Sequence, residues 1–282
     1  MTAPCSVGYL TDVYNSTTTH RELLAAGLQV TCNDALATHT WWGVGGPADL
    51  FCQIQTHTQL VQAVTIAHTN SAPVFVLGAG SNILVSDTGV KGLVLQLSGE
   101  LCDAVRQDNL LTVGAGLRLN VLLNRAKKFD WPGLHLFAGI PGTVGGAIKM
   151  NAGASLGVTA DILSHVRVVL ADGTVKTYNA QQLNMRYRRT DLPAGAIILD
   201  ATFSLSGTVT ESVALIKGHL AHRAATQPLA ERTVGSTFRN PEGDYAGRLI
   251  ESIGLKGLTI GGASVSPKHA NFLVGCRNLE SN

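Results

Sequence analysis

The stretch Gly139-Ile140-Pro141-Gly142-Thr143-Val144-Gly145-Gly146-Ala147 carries the strongest signal in this 282-residue sequence. Four glycines and one proline fall within its first eight residues, which is denser than an ordinary connection between secondary-structure elements requires. Such small residues either allow two backbone segments to pack closely, or they leave main-chain amides and the Thr143 hydroxyl accessible to a phosphate group. From the residues alone, both interpretations of this GIPG loop (139–147) are open.

Two further glycine clusters precede the GIPG loop. The GVGG loop (43–46) follows two tryptophans, and the GAGSN loop (78–82) follows the apolar run 74–77. The GAGSN loop departs from a Rossmann fingerprint, because Ile83 stands at the third glycine position and no helix can follow. Taken alone it is more typical of a plain turn than of a phosphate cradle. Three such loops in one half of the chain nevertheless suggest one extended ligand.

The composition excludes several classes of protein. A hydrophobic share of 45% and a charged share of 14% are typical of a folded chain with an extensive core, and 282 residues are enough for two domains. The net charge of +2 favours neither nucleic acid nor an anionic membrane as a partner. Because no signal peptide or membrane span is apparent, we expect a cytosolic protein. Five dispersed cysteines without a CxxC pair favour reduced thiols over disulfides or a metal site.

The hydrophobic pattern predicts many short strands and few helices, an α+β class. We interpret residues 1–30 as a weakly ordered N-terminal arm and place the boundary of a last lobe near residue 207. A hairpin is predicted around Asp172-Gly173, a pair that suits a tight turn. Buried strands are predicted at 74–77 and 93–97, and further strands at 110–113, 165–170, 174–178 and 196–205. The predicted helices are 119–128 and 211–225.

The three glycine loops, followed by Met150-Asn151-Ala152-Gly153-Ala154, resemble the FAD-binding half of the UDP-N-acetylenolpyruvoylglucosamine reductase family. The resemblance runs from about residue 38 to Val274. It implies the FAD-binding fold of the vanillyl-alcohol-oxidase (PCMH) type in residues 31–206, as two lobes with a break near 98, plus a smaller α+β substrate lobe in 207–282. It also implies non-covalent FAD, held by Gly45, Gly78, Ala79, Gly80, Ser81, Asn82, Ile83, Gly139, Pro141, Gly142, Thr143, Gly145, Gly146, Ala147 and Asn151.

The cluster Arg186-Tyr187-Arg188-Arg189-Thr190-Asp191 has two interpretations from its residues. It is either a solvated basic surface or a site where one arginine binds a carboxylate through its bidentate fork. The resemblance implies the second and maps the family's catalytic arginine to Arg188. Its implied role is to bind the enolpyruvyl carboxylate of the substrate and to stabilise negative charge as hydride arrives, which a lysine would do less well.

The segment Gly235-Ser236-Thr237-Phe238-Arg239-Asn240-Pro241 is by default a turn or a helix cap, and it lacks the G-x-S-x-G elbow of a hydrolase. The resemblance implies that NADPH reduces the flavin, that hydride then reaches the methylene carbon of a UDP-sugar enolpyruvyl ether, and that Ser236 protonates the alpha carbon. Tyr187, Arg223 and Lys256 are expected to bind this substrate, although Arg223 and Lys256 are equally typical of surface charges.

The sequence after Val274 departs from the family, whose members continue with a small-residue helix and a late catalytic glutamate. Glu280 is the only acid in this tail, and the family spacing puts its glutamate well downstream. We therefore expect a C-terminally truncated substrate lobe with lowered stability, in a monomer with reduced turnover. The alternative is a catalytically impaired FAD-binding remnant of the enzyme.

Overall fold

The computed structural model describes residues 14–275, and its first part is a four-stranded sheet with two helices. β1 pairs antiparallel with β2, whereas β2 and β3 run parallel to β4, which gives the order β1-β2-β4-β3. The side chain of Thr56 caps the second helix in a capping box with Gln59. The elements are α1 (Ser16–Ala25), β1 (Val30–Ala35), β2 (Pro47–Ile54), α2 (His57–Thr69), β3 (Val74–Val76) and β4 (Val90–Leu97).

The second part is a five-stranded antiparallel sheet in the order β10-β9-β11-β6-β5. The predicted Asp172-Gly173 turn joins its edge hairpin, with Gly173 at φ +83°. The elements are β5 (Ala104–Gln107), β6 (Leu110–Gly114), α3 (Leu119–Lys128), α4 (Val144–Lys149), β7 (Gly153–Ala154), β8 (Gly157–Val158), β9 (Leu163–Val169), β10 (Val175–Asn179) and β11 (Ile197–Ser204).

The last part holds two helices and a small antiparallel sheet in the order β12-β13-β14. The elements are α5 (Val209–Thr226), α6 (Ala246–Ser252), β12 (Thr259–Ile260), β13 (Ala263–Val265) and β14 (Leu273–Gly275). No helix within residues 14–275 combines the length and the apolar character needed to cross a lipid bilayer.

One hydrophobic core supports both larger sheets. It contains Leu95 of β4, Val113 of β6 and Phe203 of β11, each with a side chain fully removed from solvent. Phe203 meets Phe137 edge to face, with ring centroids 5.6 Å apart. Because the two sheets share this core, the space left between their facing ends has a defined shape.

The predicted weak order of the N-terminal arm is wrong for its described residues. Asn15 caps α1 by accepting a hydrogen bond from the Thr18 amide at 3.1 Å, and Leu23 and Leu28 are buried in the main core. The helix begins earlier than the apolar pattern indicates, because its first turn is made of polar residues that favour a cap. Residues 14–30 thus belong to the first part of the molecule.

Two other predictions need correction in detail. The strand predicted at 74–77 is not fully buried, since Phe75 and Val76 are 48% and 46% exposed. The long helix predicted at 211–225 exists as α5, but its apolar Val213 and Leu220 face solvent while the polar Ser212 and His219 are buried. α5 therefore packs through a polar face, which the apolar periodicity of its sequence does not indicate.

Candidate functional site

A cavity of about 760 Å³ opens between the ends of the two larger sheets. Val76 of β3 and Gln96 of β4 line one wall, and Ile198 of β11 with residues 115–118 lines the other. The exposure of Val76, unexpected for a strand, follows from its place on this wall. The volume lies within the range of pockets that bury a small organic ligand.

The glycine loops meet beside this cavity and require their glycines sterically. A Cβ atom on Gly78 would lie 2.9 Å from the Thr143 hydroxyl, while Gly142 has φ +133°, which favours glycine, and its Cβ position lies 3.4 Å from the Ser81 hydroxyl. Gly80 has φ +64°, and a Cβ there would lie 2.1 Å from the His39 carbonyl oxygen. The GVGG loop joins the same region, because the Gly46 amide donates to the Ser86 carbonyl at 2.9 Å. The GAGSN and GIPG loops are therefore in direct contact.

The backbone amides of the GIPG and GAGSN loops differ in their hydrogen-bond partners. The Val144 and Gly145 amides donate to the carbonyls of Leu117 and Ala115, at 2.9 and 2.8 Å. The Gly146 amide donates to the Thr143 hydroxyl at 3.4 Å, as Thr143 caps α4. Of the two interpretations of the GIPG loop, close packing applies at 144–146, where neighbouring carbonyls and the Thr143 hydroxyl take up the amides.

The GAGSN loop has more uncommitted amides than the GIPG loop, in which only Thr143, of the residues that line the cavity, has an amide without a partner within residues 14–275. Within residues 14–275, the amides of Gly78, Ala79, Gly80, Ser81 and Asn82 donate no hydrogen bond. Gly78 and Ala79 line the cavity, so their donors are available to a bound anion. The loop that resembles a plain turn in sequence therefore offers more free main-chain donors than the GIPG loop does.

The predicted cofactor residues divide into two groups in the structure. Gly78, Ala79, Thr143, Gly145 and Gly146 line the cavity. The others stand in or behind the loops without reaching its wall: Gly45, Gly80, Ser81, Asn82, Ile83, Gly139, Pro141, Gly142, Ala147 and Asn151.

Asn151 lies behind the loops, where its side chain bonds to other parts of the protein. Its side-chain nitrogen donates to the Arg186 carbonyl at 3.2 Å, and its side-chain oxygen accepts from the Ala160 amide at 3.0 Å. Both ends of the amide are therefore engaged within the protein, and Asn151 fixes the segment that carries the arginine cluster.

Three cations on the cavity wall were missed from the sequence. Arg118, Arg125 and Lys149 line it, and no carboxylate does so among the described residues. Burial raises the pKa of the Cys102 thiol on the same wall, and the charges of Arg125 and Arg118 act in the opposite direction. The spacing of Arg118 and Arg125, seven residues apart at α3, is the signal that places them on one helix face.

Arg188 differs from its two neighbouring arginines. Arg186 and Arg189 both pair with Asp191, at 2.6 and 2.9 Å, whereas Arg188 forms no ion pair with any acid in residues 14–275. The Arg188 guanidinium donates instead to the Gly153 carbonyl at 3.0 Å, and its backbone takes φ +57°. The hydrogen bond from Arg189 holds the pKa of the Asp191 carboxyl below its usual range. Asp191 thus pairs with two of the three arginines, and Arg188 is the one without an acidic partner among the described residues.

The segment of Ser236 approaches the arginine cluster through Tyr187. Ser236 is exposed and pairs with Phe272 in an isolated β-bridge. The Asn240 amide donates to the Tyr187 hydroxyl at 3.4 Å, and a cleft of about 560 Å³ lies between Tyr187 and residues 240–245. The structure thus brings the two segments together, although no hydrogen bond joins Arg188 to Ser236.

The two remaining predicted substrate residues, Arg223 and Lys256, already have partners within the protein. Arg223 on α5 donates to the Gly139 carbonyl of the GIPG loop and to the Gln227 side chain at 2.8 Å, and burial lowers its pKa. Lys256 pairs with Glu251 at 2.6 Å. Arg223 is therefore no free surface charge, because it ties α5 to the GIPG loop.

Two family models match the chain. A model described as an FAD binding domain matches residues 48–179, which contain the part of the cavity wall from Gln53 to Lys149. A model described as the C-terminal domain of UDP-N-acetylenolpyruvoylglucosamine reductase matches residues 227–282. The first match contains the GAGSN and GIPG loops and most of the cavity wall, and the second contains the segment of Ser236.

Curated relatives carry the same enzyme name. UDP-N-acetylenolpyruvoylglucosamine reductase 2 of Symbiobacterium thermophilum is 40% identical over 86% of this chain and 79% of its own length. The reductase of Anoxybacillus flavithermus is 38% identical over 93% of this chain and 88% of its own length. The crystal structure of the reductase from Thermus caldophilus superposes with a TM-score of 0.77 at 36% identity, covering 88% of each chain. A more distant likeness in fold alone is BBE-like 1 of Physcomitrella patens, with a TM-score of 0.51 at 20% identity.

Proposed function

The chain belongs to the UDP-N-acetylenolpyruvoylglucosamine reductase family, and from this membership we propose that it reduces UDP-N-acetylglucosamine enolpyruvate to UDP-N-acetylmuramate in peptidoglycan precursor synthesis. The observation that carries the proposal is the acid-free cavity beside the GAGSN loop, with the arginine cluster and the segment of Ser236 meeting at Tyr187. We further propose NADPH as the hydride donor, a cytosolic location and a monomeric state.

The cavity fits FAD, the cofactor of this family. Gly78, Ala79 and Thr143 would hold it, because a side chain on Gly78 would collide with Thr143 and the GAGSN amides lack protein partners. When bound, FAD supplies the two-electron chemistry that carries hydride from a nicotinamide to the substrate. The residues of the chain orient the reactants, exclude water and handle the proton.

Arg188 is proposed to bind the enolpyruvyl carboxylate. Its charge is not neutralised by an acid, whereas Arg186 and Arg189 are both committed to Asp191. A planar guanidinium can hold a carboxylate with two parallel hydrogen bonds and stabilise the negative charge that develops on it. The hydrogen bond to the Gly153 carbonyl supports this orientation of the side chain.

Ser236 is proposed as the proton donor to the alpha carbon. Its hydroxyl is exposed in a loop held by the bridge to Phe272, and the neighbouring Phe238 amide donates to the Asn271 side chain at 2.9 Å. A neutral hydroxyl transfers a proton only to a strongly basic carbanion or enolate, which Arg188 would keep in place. Tyr187 lies between the two segments and is proposed to contact the substrate.

The proposal of an active enzyme is favoured over a non-catalytic remnant, since the family model for the C-terminal domain matches residues 227–282. Glu280 and the rest of the tail after Gly275 lie outside the described residues. Arg223 and Lys256 keep a proposed role toward the substrate diphosphate only if their present partners release them.

An anaerobic two-step assay tests the function. NADPH should bleach the flavin absorbance of the purified protein, and the enolpyruvyl sugar nucleotide should then restore it. Ser236→Ala and Arg188→Ala should be bleached normally but reoxidised about 10²- to 10³-fold more slowly, as expected for loss of one transition-state contact. Arg21→Ala and Ser204→Ala, which lie away from the cavity, are the matched controls. A wild-type flavin that is bleached and never reoxidised by this substrate contradicts the proposal.

A further inference from the structure

We propose that Arg118, supported by Lys149, binds the phosphates of FAD opposite the GAGSN loop and thereby sets the preference of the site for FAD over uncharged riboflavin. This inference rests on the cofactor stated above. It assigns a ligand to charged side chains that the reaction itself does not use.

The backbone places Arg118 next to the cradle. Arg118 forms an isolated antiparallel bridge with Thr143, and the Leu119 amide donates to the Gly142 carbonyl at 3.0 Å. The Thr143 hydroxyl in turn lies 2.9 Å from the position of a Cβ on Gly78. The backbone of Arg118 thus neighbours Thr143, Thr143 neighbours the GAGSN loop, and Arg118 lines the same cavity as Gly78 and Ala79.

The charge of Arg118 is available to a ligand. Arg118 is exposed at the start of α3, lines the cavity and forms no ion pair with an acid in residues 14–275. Lys149 likewise lines the cavity at the end of α4, about 9 Å along the helix from Thr143. Arg125 is committed in part, since it donates to the Cys102 carbonyl at 3.1 Å.

The GIPG loop supplies few amides to the phosphates, since those of Val144, Gly145 and Gly146 are used within the protein. The uncommitted amides at the cavity wall are those of the GAGSN loop and of Thr143, so the cations beside them add the charge that a diphosphate needs. A diphosphate carries two negative charges, and an arginine fork binds such a group through charge-assisted hydrogen bonds. No carboxylate lines the wall, and neither Arg118 nor Lys149 forms an ion pair within residues 14–275.

Titration of full-length apoprotein with FAD and with riboflavin, followed by flavin fluorescence, tests the inference. Arg118→Met should raise the Kd for FAD about 10- to 100-fold, the range of one lost charge-assisted hydrogen bond. The Kd for riboflavin should change less than about 2-fold, because riboflavin shares the ring and ribityl chain but has no phosphate. Lys149→Met should show the same selectivity with a smaller change. Arg118→Lys should keep most of the FAD affinity as a point charge.

Arg21→Met and Lys176→Met are the matched controls, since both side chains are exposed and distant from the cavity. An equal loss of FAD and riboflavin affinity in Arg118→Met overturns the inference, because it shows a role in cavity shape. Unchanged FAD affinity in Arg118→Met and Lys149→Met also overturns it, while leaving the proposed reductase intact. Wild-type protein that binds neither flavin removes the proposed function itself.

Discussion

At the scale of single residues, the arginine cluster shows how one carboxylate can give chemically identical side chains different partners. Asp191 binds Arg186 and Arg189, and the remaining Arg188 keeps its charge beside the Gly153 carbonyl. The sequence shows three arginines and one acid within six positions, but it cannot show how they pair. The assignment of Arg188 came from the family resemblance, and the pairing now provides a physical reason for it.

Gly80 provides a test of the loop geometry. Gly80→Ala should destabilise the protein by about 2–4 kcal/mol and lower its FAD content, since a Cβ would lie 2.1 Å from the His39 carbonyl at a positive φ. Urea unfolding and the flavin-to-protein absorbance ratio measure the two effects. Gly27→Ala is the control, because Gly27 has φ +79° with no atom within 4 Å, so only the backbone penalty of about 1–2 kcal/mol applies. Equal losses in both variants would refute the steric explanation.

At the scale of elements, regular patterns are predictable and glycine-rich helices are not. The helix predicted at 119–128 is α3, because its apolar residues recur at helical spacing. The short helix α4 was missed, since Gly145 and Gly146 disfavour a helix and the Thr143 cap with contacts to 115–117 holds it. Arg118 and Arg125 of α3 and Lys149 at the end of α4 were missed for a related reason. They come together on the wall of a cavity that only the tertiary structure creates.

The polar face of α5 predicts a pH dependence. Burial, followed by the charges of Arg223 and His222, lowers the pKa of His219 below its usual 6.5. The neutral imidazole accepts or donates at Ser155, 3.0 Å away, and its other nitrogen has no partner among the described residues. Because the folded state disfavours protonation, the stability contributed by His219 is complete above pH 6.5 and is lost as pH falls through its lowered pKa.

The Tm of the wild-type protein should therefore fall between pH 7 and pH 5 more steeply than that of His219→Gln. The variant removes only part of the dependence, since burial also lowers the pKa of His269. His68→Gln on the exposed side of α2 is the control and should keep the wild-type slope. Parallel slopes for the wild type and His219→Gln would exclude His219 as a source of the effect.

At the scale of the whole molecule, the α+β class and the family are confirmed by the structure and the comparisons. Hairpin signals and the lack of regular strand-helix alternation made the class predictable. The strand order β1-β2-β4-β3 was not predictable, because pairing between strands far apart in sequence leaves no local pattern. The cavity between the sheets follows from that pairing, and so does every residue that lines it.

Binding of FAD across both sheets should stabilise the whole chain. Free FAD at about 100 times its Kd contributes about 2.7 kcal/mol, which for a chain of this size raises Tm by roughly 5–10 °C. Differential scanning fluorimetry of apoprotein with increasing FAD measures this shift, and AMP at equal concentration is the control. A Tm independent of FAD would mean that the cavity does not take up the cofactor.

The bond between Arg223 and the Gly139 carbonyl links parts of the molecule that the sequence treats as separate. α5 leads into the part of the chain that the C-terminal family model matches, while Gly139 opens the GIPG loop beside the cavity. As long as this bond persists, a displacement of α5 should shift the Gly139 carbonyl directly, without passing through the core.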